Sequence, residues 1–140
     1  MHKEKIIQTA AILGALAVGI GAFGAHGLAD TLELHGRTET FETGVKYHFY
    51  HALAMLLVGI LALLKLHEKW LKISAWLFLA GILIFSGSLY VLSLTGITWL
   101  GAITPFGGVA FIAGWICVVF AMRSTKNLRS TKDEVRGTKN

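Results

Sequence analysis

Four apolar runs dominate this chain, at about 6–23, 47–66, 71–94 and 105–122. Each is close to the roughly 20 residues that an α-helix needs to cross about 30 Å of hydrocarbon. Charged residues stand only near their ends, as Lys72 does in the third. An open strand at membrane depth would leave backbone N–H and C=O groups unpaired, so a helix is the only form these runs can take. The fold class that follows is all-α, a polytopic four-helix bundle. Residues 1–122 make one transmembrane domain. Residues 123–140 form a basic tail, expected to be disordered and drawn loosely to anionic headgroups.

Composition excludes the soluble alternatives. The 140 residues are 54% hydrophobic and 15% charged, where a soluble domain carries about a quarter charged residues. The net charge of +5 raises a nucleic-acid partner. The basic residues fall between and after the apolar runs, however, so the bilayer is the partner they suit, and no nucleic acid is expected. One cysteine, Cys117, excludes an internal disulfide and any thiolate cluster.

The placement of lysine and arginine orients the spans. The N-terminus, the middle loop (Lys65, Lys69, Lys72) and the tail hold eleven of the thirteen basic residues. The other two connections hold Arg37 and Lys46 beside Asp30, Glu33, Glu39 and Glu42. Both termini are therefore expected in the cytoplasm, in the plasma membrane or the inner membrane of a cell with two. Lys3, Lys5 and the triplet Ala22-Phe23-Gly24 also resemble a cleavable signal. The length of the run, its glycines and the consistent four-span charge pattern favour a retained helix.

Gly19-Ile20-Gly21-Ala22-Phe23-Gly24 matches a dinucleotide-binding glycine pattern but lacks the βαβ setting which that chemistry requires. Helix packing is the better reading. Ala11, Ala15 and Gly19 lie on one ridge, with Ala10, Gly14, Ala17, Gly21 and Gly24 on the adjoining face. They mark a tight bundle or a face for a membrane-protein partner or homo-oligomer. In the long first connection, Asp30 and Glu33 suit a helix cap, Glu33 and Arg37 an i,i+4 pair, and Gly36 a stop. Phe41, Val45 and Phe49 imply a second helix that begins before the membrane. Thr104 reads as the cap of the fourth span, with Pro105 at its first position.

Alternating orientation gathers His26, His48, His51, Ser86, Ser88, Tyr90, Thr104 and Pro105 in the outer leaflet. Ionisable residues at that depth are candidates for function. One reading has the histidines bonded to carbonyls or hydroxyls, holding the bundle in register. Others have His26 and His51, with His48 as a third ligand, holding a metal or haem, or the histidines passing protons or a small solute. A last reading makes His51 the base for Ser86 or Ser88 in a hydrolase, though no acid is placed to orient it.

The segments GAFGAHGL (21–28), FETGVKYHFYHALAMLL (41–57), FSGSLYVLSLTG (85–96) and ITPFGGVAFIAGW (103–115) resemble domain of unknown function 423. This is a family of small bacterial membrane proteins with eukaryotic relatives called transmembrane protein 256. The resemblance covers about 6–122. It implies a four-helix membrane protein without an assigned activity, and its motif histidines fall on His26 and His51. At position 48 the family more usually has glutamine, which weakens a three-histidine site. A patch of Gly24, Tyr47, Ser86, Ser88, Tyr90, Thr104, Pro105, Gly107 and Gly108 accompanies the histidines. The expected function is non-enzymatic, through packing with a partner or lipid, with no cofactor. Binding or transport of a metal, haem or solute is the alternative, and a serine–histidine membrane hydrolase the third.

Overall fold

The structure, a computed structural model, describes residues 1–64 and 66–137, with side chains as far as Arg123. Its elements are α1 (Lys3–His26), α2 (Ala29–Leu34), α3 (Thr38–Leu63), α4 (Glu68–Gly81), a π turn (Ile82–Ser86), α5 (Gly87–Thr95), a 3₁₀ turn (Thr98–Ala102) and α6 (Thr104–Gly137). Four stretches are long and apolar enough to span a membrane: Lys3–His26, Thr38–Leu63, Glu68–Thr95 and Thr98–Arg123. The third passes through the π turn without a break in the rod.

Sequence spacing explains which faces are buried. On α1 the buried residues are Ile6, Ala10, Leu13, Ala17 and Gly24, which recur at helical intervals on one stripe. That stripe meets α3 in antiparallel register. A Cβ at Gly59 would stand 2.6 Å from Ile7 Cγ1, one at Gly21 3.0 Å from Val45 Cγ1, and one at Gly24 would overlap the Phe41 ring. The ridge of Ala11, Ala15 and Gly19 points the other way. All three are exposed, and nothing lies within 4 Å of a Cβ at Gly19.

The second pair, α4 and α6, closes on small residues in the same way. A Cβ at Gly114 would reach Phe78 Cε1 at 2.6 Å, and one at Gly107 would overlap the backbone nitrogen of Phe85. Between the two pairs lies a core that includes Ile6, Met55, Val58, Leu71 and Phe78, each 2% exposed or less. Lys3 and Lys72 both hold Glu68, at 2.9 and 3.1 Å, tying the start of α1 to the start of α4. This basic end is opposite the end that carries α2.

Several local expectations change. Leu28 holds the N-cap position of the short helix α2 with no side-chain cap, and Asp30 sits in its first turn, where a carboxylate favours the helix dipole without capping. Glu33 and Arg37 form no ion pair among the described residues. Gly36 does take the left-handed conformation, φ +61°, as a stop residue should, and Gly96 ends α5 with φ +72°. Helix α6 starts at Thr104 itself, so Thr104 is not its cap. Its backbone is helical as far as Gly137. No glycine or proline between 115 and 136 stops it. Residues 138–140 and the side chains from 124 on lie outside the described residues.

Candidate functional site

The polar residues gathered from the sequence lie towards the α2 end, and most are spent joining one helix to another. His48 on α3 is 4% exposed. A 3.1 Å hydrogen bond joins its Nδ1 to Tyr90 Oη on α5. A hydroxyl both donates and accepts, so this bond serves either ring tautomer. Tyr90 also packs on Phe41, with ring centroids 5.2 Å apart. Ser88 on α5 donates to the Phe85 carbonyl at 2.9 Å and shares a 2.8 Å bond with Thr104 Oγ1 on α6. Thr104 Oγ1 also reaches the Leu100 carbonyl, at 3.4 Å. Gly107, one turn on, lets α6 approach the π turn, while Gly108 meets Phe85 only at ordinary contact, 3.9 Å.

His51 is one turn deeper and 7% exposed. Its Nδ1–H donates to the Tyr47 carbonyl at 2.9 Å. The imidazole lies flat on Phe111 of α6, with centroids 3.4 Å apart and planes 10° from parallel. Phe78 and Trp115 close the cage, at 5.6 and 6.5 Å. Tyr47, which supplies the carbonyl, stacks on the same imidazole at 5.9 Å and packs at a tilt against Phe85 at 4.6 Å. His51 thus bridges α3 to α6 through ring stacking, and its hydrogen bond fixes the ring plane.

His26 is elsewhere. It is the exposed last residue of α1. Because Gly24 faces Phe41 and Gly21 faces Val45, His26 lies level with the start of α3, near Glu39. His51 is twelve residues further on, about 18 Å along the axis at 1.5 Å per residue. On this register the two histidines stand at different depths of the bundle. Among the described residues no group of three or more histidine, cysteine, aspartate or glutamate side chains is placed to hold a metal ion. Neither Ser86 nor Ser88 hydrogen-bonds to a histidine among the described residues. Ser88 is committed to Phe85 and Thr104, and Ser86 Oγ is buried without a partner among the described residues.

Two further contributors lack a sequence signal. His35, just after α2, donates from Nδ1 to the Ser93 carbonyl at 3.1 Å and pins α2 to α5. Nothing periodic marks it; only its place beside a turn glycine hints at a fixed ring. Phe111 reads as one more apolar residue of α6, and only the register of α6 against α3 reveals its stacking on His51. Three buried polar atoms of this region, His48 Nε2, Ser86 Oγ and Ser93 Oγ, have no hydrogen-bond partner among the described residues.

The chain matches the family described as "Protein of unknown function (DUF423)" over residues 20–108. It is 52% identical to UPF0382 membrane protein YwdK of Bacillus subtilis (strain 168) over 114 residues, 79% of this chain and 92% of that one. A UPF0382 membrane protein of Haemophilus influenzae (strain ATCC 51907 / DSM 11121 / KW20 / Rd) is 38% identical over 126 residues, 90% of this chain and 99% of the relative. UPF0382 membrane protein SAB0533 of Staphylococcus aureus (strain bovine RF122 / ET3-1) is 48% identical over 79% of this chain and 91% of its own. No solved structure matches at a significant level. With its four apolar helices and these relatives, the chain belongs to the DUF423 family of membrane proteins.

Proposed function

We propose that this protein is a non-enzymatic, multi-pass component of the plasma membrane, with both termini in the cytoplasm, that acts through its lateral surface on lipid or on another membrane protein. The observation that carries this reading is the use of the polar residues. His48–Tyr90, Ser88–Thr104, His35–Ser93 and the His51–Phe111 stack each join two different elements. A catalytic or ligand-holding set would instead converge on one reacting centre. The lysine and arginine asymmetry supports the orientation. What remains for interaction is the apolar exterior, including Val18, Phe106 and Val109, each more than 60% exposed.

Affinity purification from native membranes in a mild detergent tests the proposal. A membrane-protein companion or a retained lipid at a fixed ratio is expected, together with no reaction with a serine-directed fluorophosphonate. Labelling by that probe, lost in Ser88→Ala or Ser86→Ala, would overturn it. Repeated recovery of the bare protein, without lipid or companion, would also count against it.

A further inference from the structure

We infer that the groove between α1 and α3 seats one zwitterionic glycerophospholipid, its headgroup at the Lys46–Glu42 pair and one acyl chain in the recess below. This rests on the reading that the protein works through its lateral surface. Two cavities, of about 200 and 240 Å³, adjoin there and share Gly21, Val45 and Lys46 as walls. Gly21 and Gly24 let α1 close on Val45 and Phe41 of α3, and the two cavities flank this contact, where α1 carries no side chain to cover them. The upper cavity lies beneath α2, between Leu32 and Phe41. The lower one runs down past Val18, Phe49 and Tyr50. Its mouth opens sideways, since Val18 is 61% and Tyr50 59% exposed.

The surroundings determine what fills such a groove. An apolar cavity stays dry, and the liquid outside this one is hydrocarbon, so a lipid chain is the occupant at hand. The depth agrees. About 20 residues back from Leu64, one hydrocarbon thickness, the boundary on α3 falls at Val45. Lys46 and Glu42 therefore stand at headgroup level, and Phe49 and Tyr50 just below it.

Charge then selects the headgroup. Lys46 Nζ and Glu42 Oε2 lie 3.2 Å apart and both side chains are more than half exposed. A phosphate on the lysine and an ammonium on the glutamate would match this pair, whereas a purely anionic headgroup would leave the carboxylate facing like charge. Entering the groove brings no hydrophobic gain over bulk lipid. The preference therefore comes from packing and from the charge pair, and it is modest.

The test uses the full-length protein in phosphatidylglycerol nanodiscs with a trace of phosphatidylethanolamine carrying a diazirine on one chain. Photolabel should concentrate on Val18, Phe49 and Tyr50. Gly21→Leu, which fills the shared wall, should lower that label about fivefold, the ratio that one partly exposed charge pair and its packing support. Gly19→Leu, on the open side of the same helix, should leave it unchanged. Should Gly21→Leu not fold, Val18→Trp blocks the mouth from outside the core and carries the same expectation. Glu42→Gln with Lys46→Gln should abolish the preference over a phosphatidylglycerol probe. Label spread evenly over α1 and α6, or unchanged by the blocking variants, would show annular lipid only and overturn the inference. That outcome leaves the broader proposal standing on a protein partner. Conversely, fluorophosphonate labelling with an intact groove would sink only the broader proposal.

Discussion

Removing one oxygen atom from Tyr90 should loosen the bundle measurably, and only while His48 is present. In Tyr90→Phe the ring stays against Phe41, 5.2 Å away, so packing is retained and the hydroxyl alone is lost. His48 Nδ1 then loses its 3.1 Å partner, and Nε2, which faces the Leu13 backbone, makes no hydrogen bond of ordinary geometry among the described residues. A buried polar group left unpaired costs about 1–3 kcal/mol. Interhelical bonds inside membranes average about 0.6 kcal/mol and reach about 1.7. Tyr90→Phe should therefore cost about 1–2 kcal/mol. His48→Leu should cost less, about 0–1 kcal/mol, because it removes the unpaired Nε2 along with the bond. In the His48→Leu background the tyrosine change should be almost free. The coupling energy expected is about 1 kcal/mol, read by reversible unfolding in mixed micelles of mild detergent and dodecyl sulfate. Equal cost of Tyr90→Phe with and without His48, within about 0.3 kcal/mol, would refute the bond as an interhelical clamp.

Gly107→Ala should destabilise by about 1–3 kcal/mol, since its methyl meets the backbone of Phe85. Gly14→Ala, with nothing within 4 Å, should be neutral or stabilise by up to about 1 kcal/mol; the same unfolding assay reads both. Thr104→Val should cost about 0.5–1.5 kcal/mol by breaking the Ser88 bond, and Ser88→Ala should add little on top of it. For orientation, a Cys117→Ala background is combined with either Glu39→Cys or Lys5→Cys. An impermeant maleimide should label the first on intact cells and the second only after permeabilisation.

Much of this architecture is legible in the sequence because hydrocarbon imposes a length on every span. The apolar runs locate all four rods, and Phe41, Val45 and Phe49 foretell the early start of α3. Gly36 announces its own left-handed turn, since glycine bears that conformation without a Cβ clash. What the residues do not disclose is rotation and register. Two ridges of small residues compete on α1, and nothing local says that Gly21 and Gly24 pack while Gly19 faces out. The four span ends do gather polar groups, yet helix-end arithmetic cannot separate His26 from His51 by about 18 Å. The π turn at Ile82–Ser86 is likewise invisible: its residues are ordinary span residues, and their backbone widens where α6 presses Gly107 against Phe85. Thr104 shows the same limit, because its bond to Ser88 depends on how α6 sits against α5, which no local signal gives.

The claim that matters most is that the α2-end residues hold helices together and hold no cofactor. Protein purified from its own membrane, without added metal or haem, decides it through an absorbance spectrum and a metal analysis on the same sample. The account predicts no Soret band and no metal at a fixed ratio to the chain. A Soret band or about one metal per chain, lost in His51→Ala while the fold survives, would contradict it.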